Sequence, residues 1–251
     1  MKIALMSDLH ANRQATEAVW AHVQQLGFDR LALLGDYVDY GADPVWVVDF
    51  VRKRVSEGAL ALKGNHDEAA GWAGHAEGGE RMAEHVMASL IWTRAQLSQA
   101  DRQWLDALPL TGRIGPCEIA HANTAKPAQW GYIHSRLEAT GSLYATDANY
   151  VFCGHMHDQR LYHLTGTGKA GEFTPVDGVG IPLSPARRWL AIPGSVGQPR
   201  DGNPAACWAL FDTDTATLSF HRVPYDHEQA AQRILDARLP AYMAERLLHG
   251  R

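Results

Sequence analysis

The 251-residue sequence has few cysteines, no long apolar run and no excess of positive charge. Its three cysteines, Cys117, Cys153 and Cys207, are widely spaced and form no Cys-x-x-Cys pair. This favours buried free thiols in a reducing compartment over a disulfide framework. No apolar run approaches a membrane span, and the chain does not open on the basic-then-apolar pattern of secreted proteins. We therefore predict a cytoplasmic protein without a membrane partner.

The charge balance argues against nucleic acid as a partner bound through a broad basic surface. The net charge is -5, which argues against a broad basic surface for nucleic acid. An anionic substrate would therefore need a local positive source, which bound divalent metal ions could supply. The sequence also lacks repeats, low-complexity tracts and linkers, so we predict a single domain over residues 1–251.

Short apolar runs alternate with helical patterns in the first part of the chain. Buried strands are predicted over residues 2–6, 31–34 and 59–62, because each run is bounded by polar residues or glycine. Helices are predicted over 12–26 and 44–57, the second with Asp43 as N-cap and Pro44 at its first position. This alternation predicts an α/β fold with a parallel sheet and helices on its faces.

The rest of the chain is less regular. Residues 68–108 have helical spacing and predict helices over one end of the sheet, as an insertion or cap, with Ser98 as an N-cap. We expect Trp72, Trp92 and Trp104 to form the core of this helical layer rather than a base-stacking platform. Further β-structure is predicted over 110–113, 117–121, 150–153, 160–164, 189–192, 205–211 and 217–223, and helix from 226 onward. Residues 165–188, rich in Gly and Pro, predict an exposed loop or ragged hairpin.

Four short polar motifs each close an apolar run. They are Ser7-Asp8-Leu9-His10, Gly35-Asp36-Tyr37-Val38-Asp39, Gly64-Asn65-His66-Asp67 and Gly154-His155-Met156-His157. Taken singly, the first three are more typical of turn and capping residues than of ligands. The His-x-His pair after a glycine at a strand end is less typical of packing.

The coincidence of the four motifs favours a metal site. The carboxyl ends of parallel strands share one edge of a sheet, so these side chains should lie close together. Clustered carboxylates and imidazoles without a metal would carry large like-charge and desolvation costs. The sequence therefore predicts a two-metal hydrolase acting on phosphate esters. His121, which follows another predicted strand, is the candidate that spacing alone supports least.

The motif set resembles the calcineurin-like metallophosphoesterase superfamily, whose pattern is D-x-H, G-D-x-x-D, G-N-H-[DE], an isolated His and then G-H-x-H. The matching motifs run in the same order from Asp8 to His157, and residues 193–200 resemble a bacterial branch of predicted phosphoesterases. The resemblance implies a four-layer αββα sandwich, with a dinuclear metal centre at one edge and a helical layer near the active site.

The resemblance also implies a role for each matched residue. His66 would be the acid that protonates the leaving group, oriented by Asp39. The metal ligands implied by position are Asp8, His10 and His157 for the first metal, Asn65, His121 and His155 for the second, and Asp36 as the bridge between them.

Three positions depart from the family pattern. The segment G-D-Y-V-D-Y-G at 35–41 is similar to the protein Ser/Thr phosphatase signature, but Tyr40 stands where those phosphatases carry a phosphate-gripping Arg. This counts against phosphoprotein substrates. Ala11 and Ala122 each replace a glycine that is usual in the family.

The predicted mechanism uses two divalent metal ions about 3.5–4 Å apart, which lower the pKa of a bridging water and clamp the phosphoryl oxygens. The nucleophile would be the metal-bound hydroxide. Oxygen and imidazole ligands suit Mn, Fe or Zn. Arg13 and Arg200 are candidate substrate contacts, although a solvated surface arginine is an equal alternative for Arg200.

The leading functional prediction is a metal-dependent phosphodiesterase or phosphatase acting on a small phosphate ester or nucleotide. Hydrolysis of dinucleoside polyphosphates is a second enzymatic alternative. A binding scaffold that keeps the fold without catalysis is a third, but every site position is filled. Cysteine-based phosphatase chemistry has no support, because no cysteine lies in a phosphate-cradling loop.

Overall fold

The computed structural model describes residues 1–71 and 83–251, which form two facing six-stranded sheets with helices outside them. The strands are β1 (Lys2–Met6), β2 (Arg30–Leu33), β3 (Leu60–Ala61), β4 (Thr111–Ile114), β5 (Cys117–Ala120), β6 (Tyr150–Cys153), β7 (Gln159–Thr165), β8 (Ala170–Phe173), β9 (Gly180–Pro182), β10 (Arg187–Pro193), β11 (Ala206–Asp212) and β12 (Thr217–Val223). The helices are α1 (Arg13–Leu26), α2 (Pro44–Ser56), α3 (Asn65–Gly71), α4 (Glu84–Gln96), α5 (Gln99–Asp106), α6 (Arg136–Tyr144), α7 (His227–Asp236) and α8 (Ala241–His249), with a 3-10 turn at Pro127–Gln129.

Both sheets are mixed, with parallel strands where the motifs lie. The first sheet has the order β3-β2-β1-β11-β12-β9, and β1, β2 and β3 are parallel neighbours. The second has the order β4-β5-β6-β10-β7-β8, and β5, β6 and β10 are parallel neighbours. Parallel neighbours place their carboxyl ends at one sheet edge, which is where the polar motifs follow. The predicted α/β fold class is confirmed.

Side chains that alternate along the central strands build the layers. Ile3 and Leu5 of β1 pack between the two sheets, where Phe152 of β6 meets them. Ala4 and Met6 point the other way, into the core beneath α1 and α2. Burying one side chain of this size contributes about 1.5–3 kcal/mol. A one-residue shift of β1 would turn every side chain to the opposite face of the sheet, and this stabilisation would be lost. The four-layer order of helix, sheet, sheet, helix follows from this alternation.

The predicted N-cap residues Ser98 and Asp43 both precede their helices, and Asn12 is a further N-cap that was not predicted. Asn12 accepts a hydrogen bond from the Ala15 amide at 3.1 Å, and Ser98 forms a capping box with Asp101. Asp43 occupies the N-cap position of α2, but its side chain caps no amide and instead pairs with Arg233 of α7. Asp43 is thus confirmed as the N-cap residue of α2, although its carboxylate pairs with Arg233 and caps no amide.

Three segments differ from the sequence prediction. Helix α3 begins at Asn65, inside the third motif, and α6 lies in a region for which no element was predicted. Residues 165–188 contain the short strands β8 and β9, and β9 joins the first sheet beside β12.

The helical segment predicted over 68–108 comprises the end of α3, then α4 and α5. Trp72 lies outside the described residues. Trp92 and Trp104 are partly buried against apolar clusters, as expected of core residues. None of the helices in the two described stretches is long and apolar enough to cross a bilayer.

Candidate metal centre

The site lies where β1, β2, β3, β5 and β6 end, and its backbone is unusual. Six of the predicted site residues adopt a left-handed conformation, with φ between 45° and 71°: Asp8, His10, Asp36, Asp39, His155 and His157. Such conformations cost about 1–3 kcal/mol in most residues and cluster at functional sites, although Asp and His adopt them more readily than most. Ala11, where the family pattern has glycine, also has a φ of 50°.

A first cluster joins Asp8, His10, Asp36 and His157, whose ligand atoms all lie within 4.8 Å of one another. His157 Nε2 lies 3.2 Å from Asp8 Oδ1 and 3.1 Å from His10 Nε2. His10 Nε2 lies 3.8 Å from Asp36 Oδ2. All four side chains are buried, so the cluster is shielded from water.

A second cluster joins Asp36 to His121, His155 and Asn65. His121 Nε2 lies 3.2 Å from Asp36 Oδ2, from Asn65 Oδ1 and from His155 Nδ1. Asp36 therefore belongs to both clusters. Its Oδ1 accepts the amide hydrogen of His66, whereas its buried Oδ2 lies 3.2 Å from His121 Nε2 and 3.8 Å from His10 Nε2. A buried carboxylate oxygen that faces imidazoles of both clusters fits a bridging metal ligand.

Backbone carbonyls set the orientation of three imidazoles. His10 Nδ1 lies 3.1 Å from the Val38 carbonyl oxygen. His121 Nδ1 lies 2.9 Å from that of Leu34, and His157 Nδ1 lies 2.7 Å from that of Gln198. A carbonyl only accepts, so each Nδ1 carries a proton and each Nε2 is the nitrogen that faces the cluster.

The ionisation states suit a cation. Burial alone would raise the pKa of Asp8, but neighbouring imidazoles, led by His157, hold it well below its usual value. Burial lowers the pKa of His155 to about 3, with His121 adding to the effect. Burial also opposes the charged form of His121, yet Asp36 and other partners raise its pKa to about 9. The carboxylates that favour a proton on His121 would equally favour a metal ion there.

His66 lies beside the two clusters in a separate hydrogen-bonded chain. Its Nδ1 lies 2.7 Å from Asp39 Oδ2, and Ser89 donates a hydrogen bond to the other oxygen of Asp39. Its Nε2 lies 3.1 Å from the Tyr40 hydroxyl. Burial opposes the charged form of His66, but Asp36 and Asp39 raise its pKa overall. This is the arrangement expected of a positioned acid.

Asp67 is a site residue to which the sequence reasoning gave no role. Its two carboxylate oxygens accept backbone amides from Asp36, Tyr37 and Gly64 at 2.8–2.9 Å. It thus holds the turn after β2 against the turn after β3. Burial, followed by the charge of Asp36, raises its pKa to about 7. The only signal in the sequence was its place as the last residue of the third motif.

The two candidate substrate arginines lie in different places. Arg200 binds the side chain of Gln198, and its guanidinium lies 5.8 Å from the Tyr40 ring centroid, next to the site. Arg13 pairs with Glu17 at 2.9 Å and covers the Trp46 ring, so its contacts lie away from the clusters.

The sequence reasoning also missed two aromatic residues from a loop without predicted structure. Tyr132 stacks on His155 with ring centroids 4.1 Å apart, and its residue surface is 48% exposed. Trp130 packs edge-on to His121 and donates its indole hydrogen to Glu68. These two rings border the second cluster.

Comparisons with known proteins agree with this geometry. A family model described as a calcineurin-like phosphoesterase superfamily domain matches residues 1–216. The chain is 32% identical to the uncharacterized protein MJ0912 of Methanocaldococcus jannaschii, over 99% of this chain and 98% of that one. It also resembles the crystal structure of a metallophosphoesterase from Sphaerobacter thermophilus, with 32% identity, a TM-score of 0.85 and coverage of 100% and 99% of the two chains. The hypothetical protein PH1004 from Pyrococcus horikoshii OT3 shares the fold, with a TM-score of 0.80 at 18% identity and coverage of 100% and 98%.

Proposed function

The chain belongs to the calcineurin-like phosphoesterase superfamily, and we propose that it hydrolyses small phosphate esters or nucleotides with two divalent metal ions. The observation that carries this proposal is the buried Asp36 carboxylate, whose Oδ2 faces His10 of the first cluster and His121 of the second. The first metal would be held by Asp8, His10 and His157, and the second by Asn65, His121 and His155, with Asp36 between them.

The donor set indicates which metals fit. Carboxylate, amide and imidazole donors suit Mn, Fe or Zn. When bound, such ions lower the pKa of a water molecule and offset the negative charge on phosphoryl oxygens. The imidazoles are buried and oriented before a metal arrives, which reduces the ordering cost of binding.

The chain's own proton donor would be His66. Asp39 holds Nδ1 of the ring, so Nε2 points towards the Tyr40 hydroxyl. A leaving-group oxygen within hydrogen-bond distance of Nε2 would receive its proton. Since Tyr40 stands where protein Ser/Thr phosphatases have arginine, small esters are favoured over phosphoproteins.

A panel of phosphate esters tests the proposal. The Mn²⁺-reconstituted protein should hydrolyse at least one class among phosphomonoesters, phosphodiesters and dinucleoside polyphosphates. His66→Ala should lower turnover about 10²–10⁴-fold while metal content stays unchanged, because His66 is a proton donor and not a ligand. The exposed His249→Ala variant is the matched control and should keep full activity.

Two outcomes would count against the proposal. Absence of hydrolysis by the metal-loaded protein on every substrate would favour a non-catalytic scaffold. An equal loss of metal and activity in His66→Ala would contradict the assignment of His66 as the proton donor.

A further inference from the structure

Ser89 of α4 contacts the carboxylate that holds the proton donor. Its side chain is fully buried, and its hydroxyl donates to Asp39 Oδ1. The same hydroxyl oxygen accepts the Tyr40 amide hydrogen at 3.0 Å. The other oxygen of Asp39, Oδ2, lies 2.7 Å from His66 Nδ1. The hydroxyl therefore fixes the Asp39 oxygen that does not face His66, and leaves the other oxygen to the imidazole.

The backbone of Asp39 and Tyr40 is held by the same group of hydrogen bonds. Both residues have a left-handed conformation, with φ of 71° and 68°, which is rare for a bulky residue such as tyrosine. The Tyr40 amide also lies 2.9 Å from Asp39 Oδ1. Three hydrogen bonds thus join the Ser89 hydroxyl, the Asp39 carboxylate and the Tyr40 amide in a closed ring. This ring holds the turn and the carboxylate in one arrangement.

Helix α4 brings Ser89 to the site from a region outside the four motifs. Leu90, the next residue, packs in the same apolar cluster as Val48 of α2. Arg94, further along α4, donates its Nε hydrogen to the Ala69 carbonyl oxygen of α3 at 3.0 Å. The helix is therefore attached to both of its helical neighbours, and the serine hydroxyl has a defined position from which to hold the carboxylate.

We propose that Ser89 is a positioning residue for the proton donor. It fixes the Asp39 carboxylate, which in turn orients the His66 ring. General acid catalysis depends on orientation, so a rotation of this carboxylate would move His66 Nε2 away from the leaving-group oxygen. The proposal rests on the proposed function, in which His66 protonates the leaving group. It also gives the helical layer a part in the reaction, because α4 supplies the group that fixes the proton donor.

Kinetics with two leaving groups separate this role from a merely structural one. In the full-length Mn²⁺-loaded protein, Ser89→Ala should lower kcat about tenfold for phenyl phosphate or diphenyl phosphate, with KM and metal content unchanged. The corresponding para-nitrophenyl esters should lose less than about threefold, because para-nitrophenolate is a weak base and leaves without a proton. A structural defect would slow both kinds of ester equally.

Thr93→Val is the matched control for Ser89→Ala. Thr93 is also buried in α4, and its hydroxyl has no hydrogen-bond partner within residues 1–71 and 83–251. Both variants remove one buried hydroxyl from the same helix, so the control reports any general effect of altering α4. Thr93→Val should keep the wild-type rates on both kinds of ester.

Proton exchange measured by NMR tests the positioning without turnover. In the full-length Zn²⁺-loaded protein, the proton on His66 Nδ1 is identified by its absence from His66→Ala. It is buried and bonded to Asp39, so it should exchange slowly with water. Ser89→Ala should speed this exchange about tenfold, whereas Thr93→Val should leave it unchanged.

Several results would overturn the proposal. They are fast exchange already in the wild type, unchanged exchange in Ser89→Ala, unchanged rates on the phenyl esters, an equal loss on both kinds of ester, or a loss of metal. Faster exchange in Ser89→Ala without hydrolysis of any ester by the wild type would contradict the proposed function and leave the positioning of His66 standing.

Discussion

The Asp36 side chain contacts both ligand clusters and the backbone of His66. One oxygen accepts the His66 amide, and the other faces imidazoles of both ligand clusters. Its backbone amide is in turn held by Asp67 at 2.8 Å. The position of the bridging carboxylate therefore depends on a second, buried carboxylate that does not itself face the clusters.

Replacing Asp67 should cost stability as well as activity. Asp67→Asn turns one acceptor oxygen into a donor that faces backbone amides, so at least one amide is left unpaired. We expect a loss of about 1–3 kcal/mol in the free energy of unfolding. Urea denaturation measures it, with the exposed Asp49→Asn in α2 as control. A loss no larger than that of the control would show that these hydrogen bonds do not hold the turns together.

Residue chemistry explains which site residues could be predicted from sequence. Asp8, Asp36 and His155 stand in short motifs at strand ends, so their types and spacing alone bring them together. The packing of α8 near the site could not be predicted, because no motif marks the helix whose Met243 and Leu247 share an apolar cluster with Tyr40. Tyr40 was recognised only as a departure from a signature, whereas its contact with His66 Nε2 became visible in three dimensions.

At the scale of elements, close packing limits which residues fit in the turns that follow the strands. A Cβ built on Gly154, directly after β6, would overlap Ser7 Oγ and lie 2.8 Å from Asp8 Oδ2. Glycine is needed there for the close approach of the β6 end to the turn after β1, and not for a positive φ.

Gly154→Ala should therefore push the ends of β1 and β6 apart. We expect metal content to fall at least tenfold, with stability reduced by about 1–3 kcal/mol. Gly141→Ala, in α6 with nothing within 4 Å of its Cβ, is the matched control. It should be neutral or stabilising by up to about 1 kcal/mol, because alanine favours helix. Elemental analysis and thermal unfolding measure both effects; full metal content in Gly154→Ala would refute the steric argument.

The elements that were predicted correctly are those with long or strictly bounded apolar patterns, such as β1 and α1. Helix α6 was missed because only Ala139, Ser142 and Leu143 are buried in it and a glycine interrupts it. Strands β8 and β9 are short and mostly exposed, so their pairing partners decide their structure rather than their own composition.

At the scale of the whole molecule, the candidate metal centre lies across the two sheets. Asp8 and Asp36 follow strands of the first sheet, whereas His121 and His155 follow strands of the second. Metal ions bound between them would link the two layers, in addition to the apolar core and hydrogen bonds such as that of the His155 amide to the Asp8 carboxylate.

Removal of metal should therefore lower thermal stability. At a free metal concentration 1,000 times the Kd, binding contributes about 4 kcal/mol to the free energy of unfolding. For a chain of this size that corresponds to roughly 8–16 °C in Tm. Calorimetry with Mn²⁺ and with a chelator measures the difference, and Asp36→Asn should show much less of it. An equal Tm in both conditions would mean that the clusters bind no metal in the folded protein.

The central claim is that both clusters, joined by Asp36, act as one two-metal centre for phosphate ester hydrolysis. The most direct test is titration of the metal-free protein with Mn²⁺ while bound metal and hydrolysis of an active ester are recorded together. Turnover should rise until two ions are bound per chain and then level off. Saturation at one ion, or two bound ions without turnover on any ester, would contradict it.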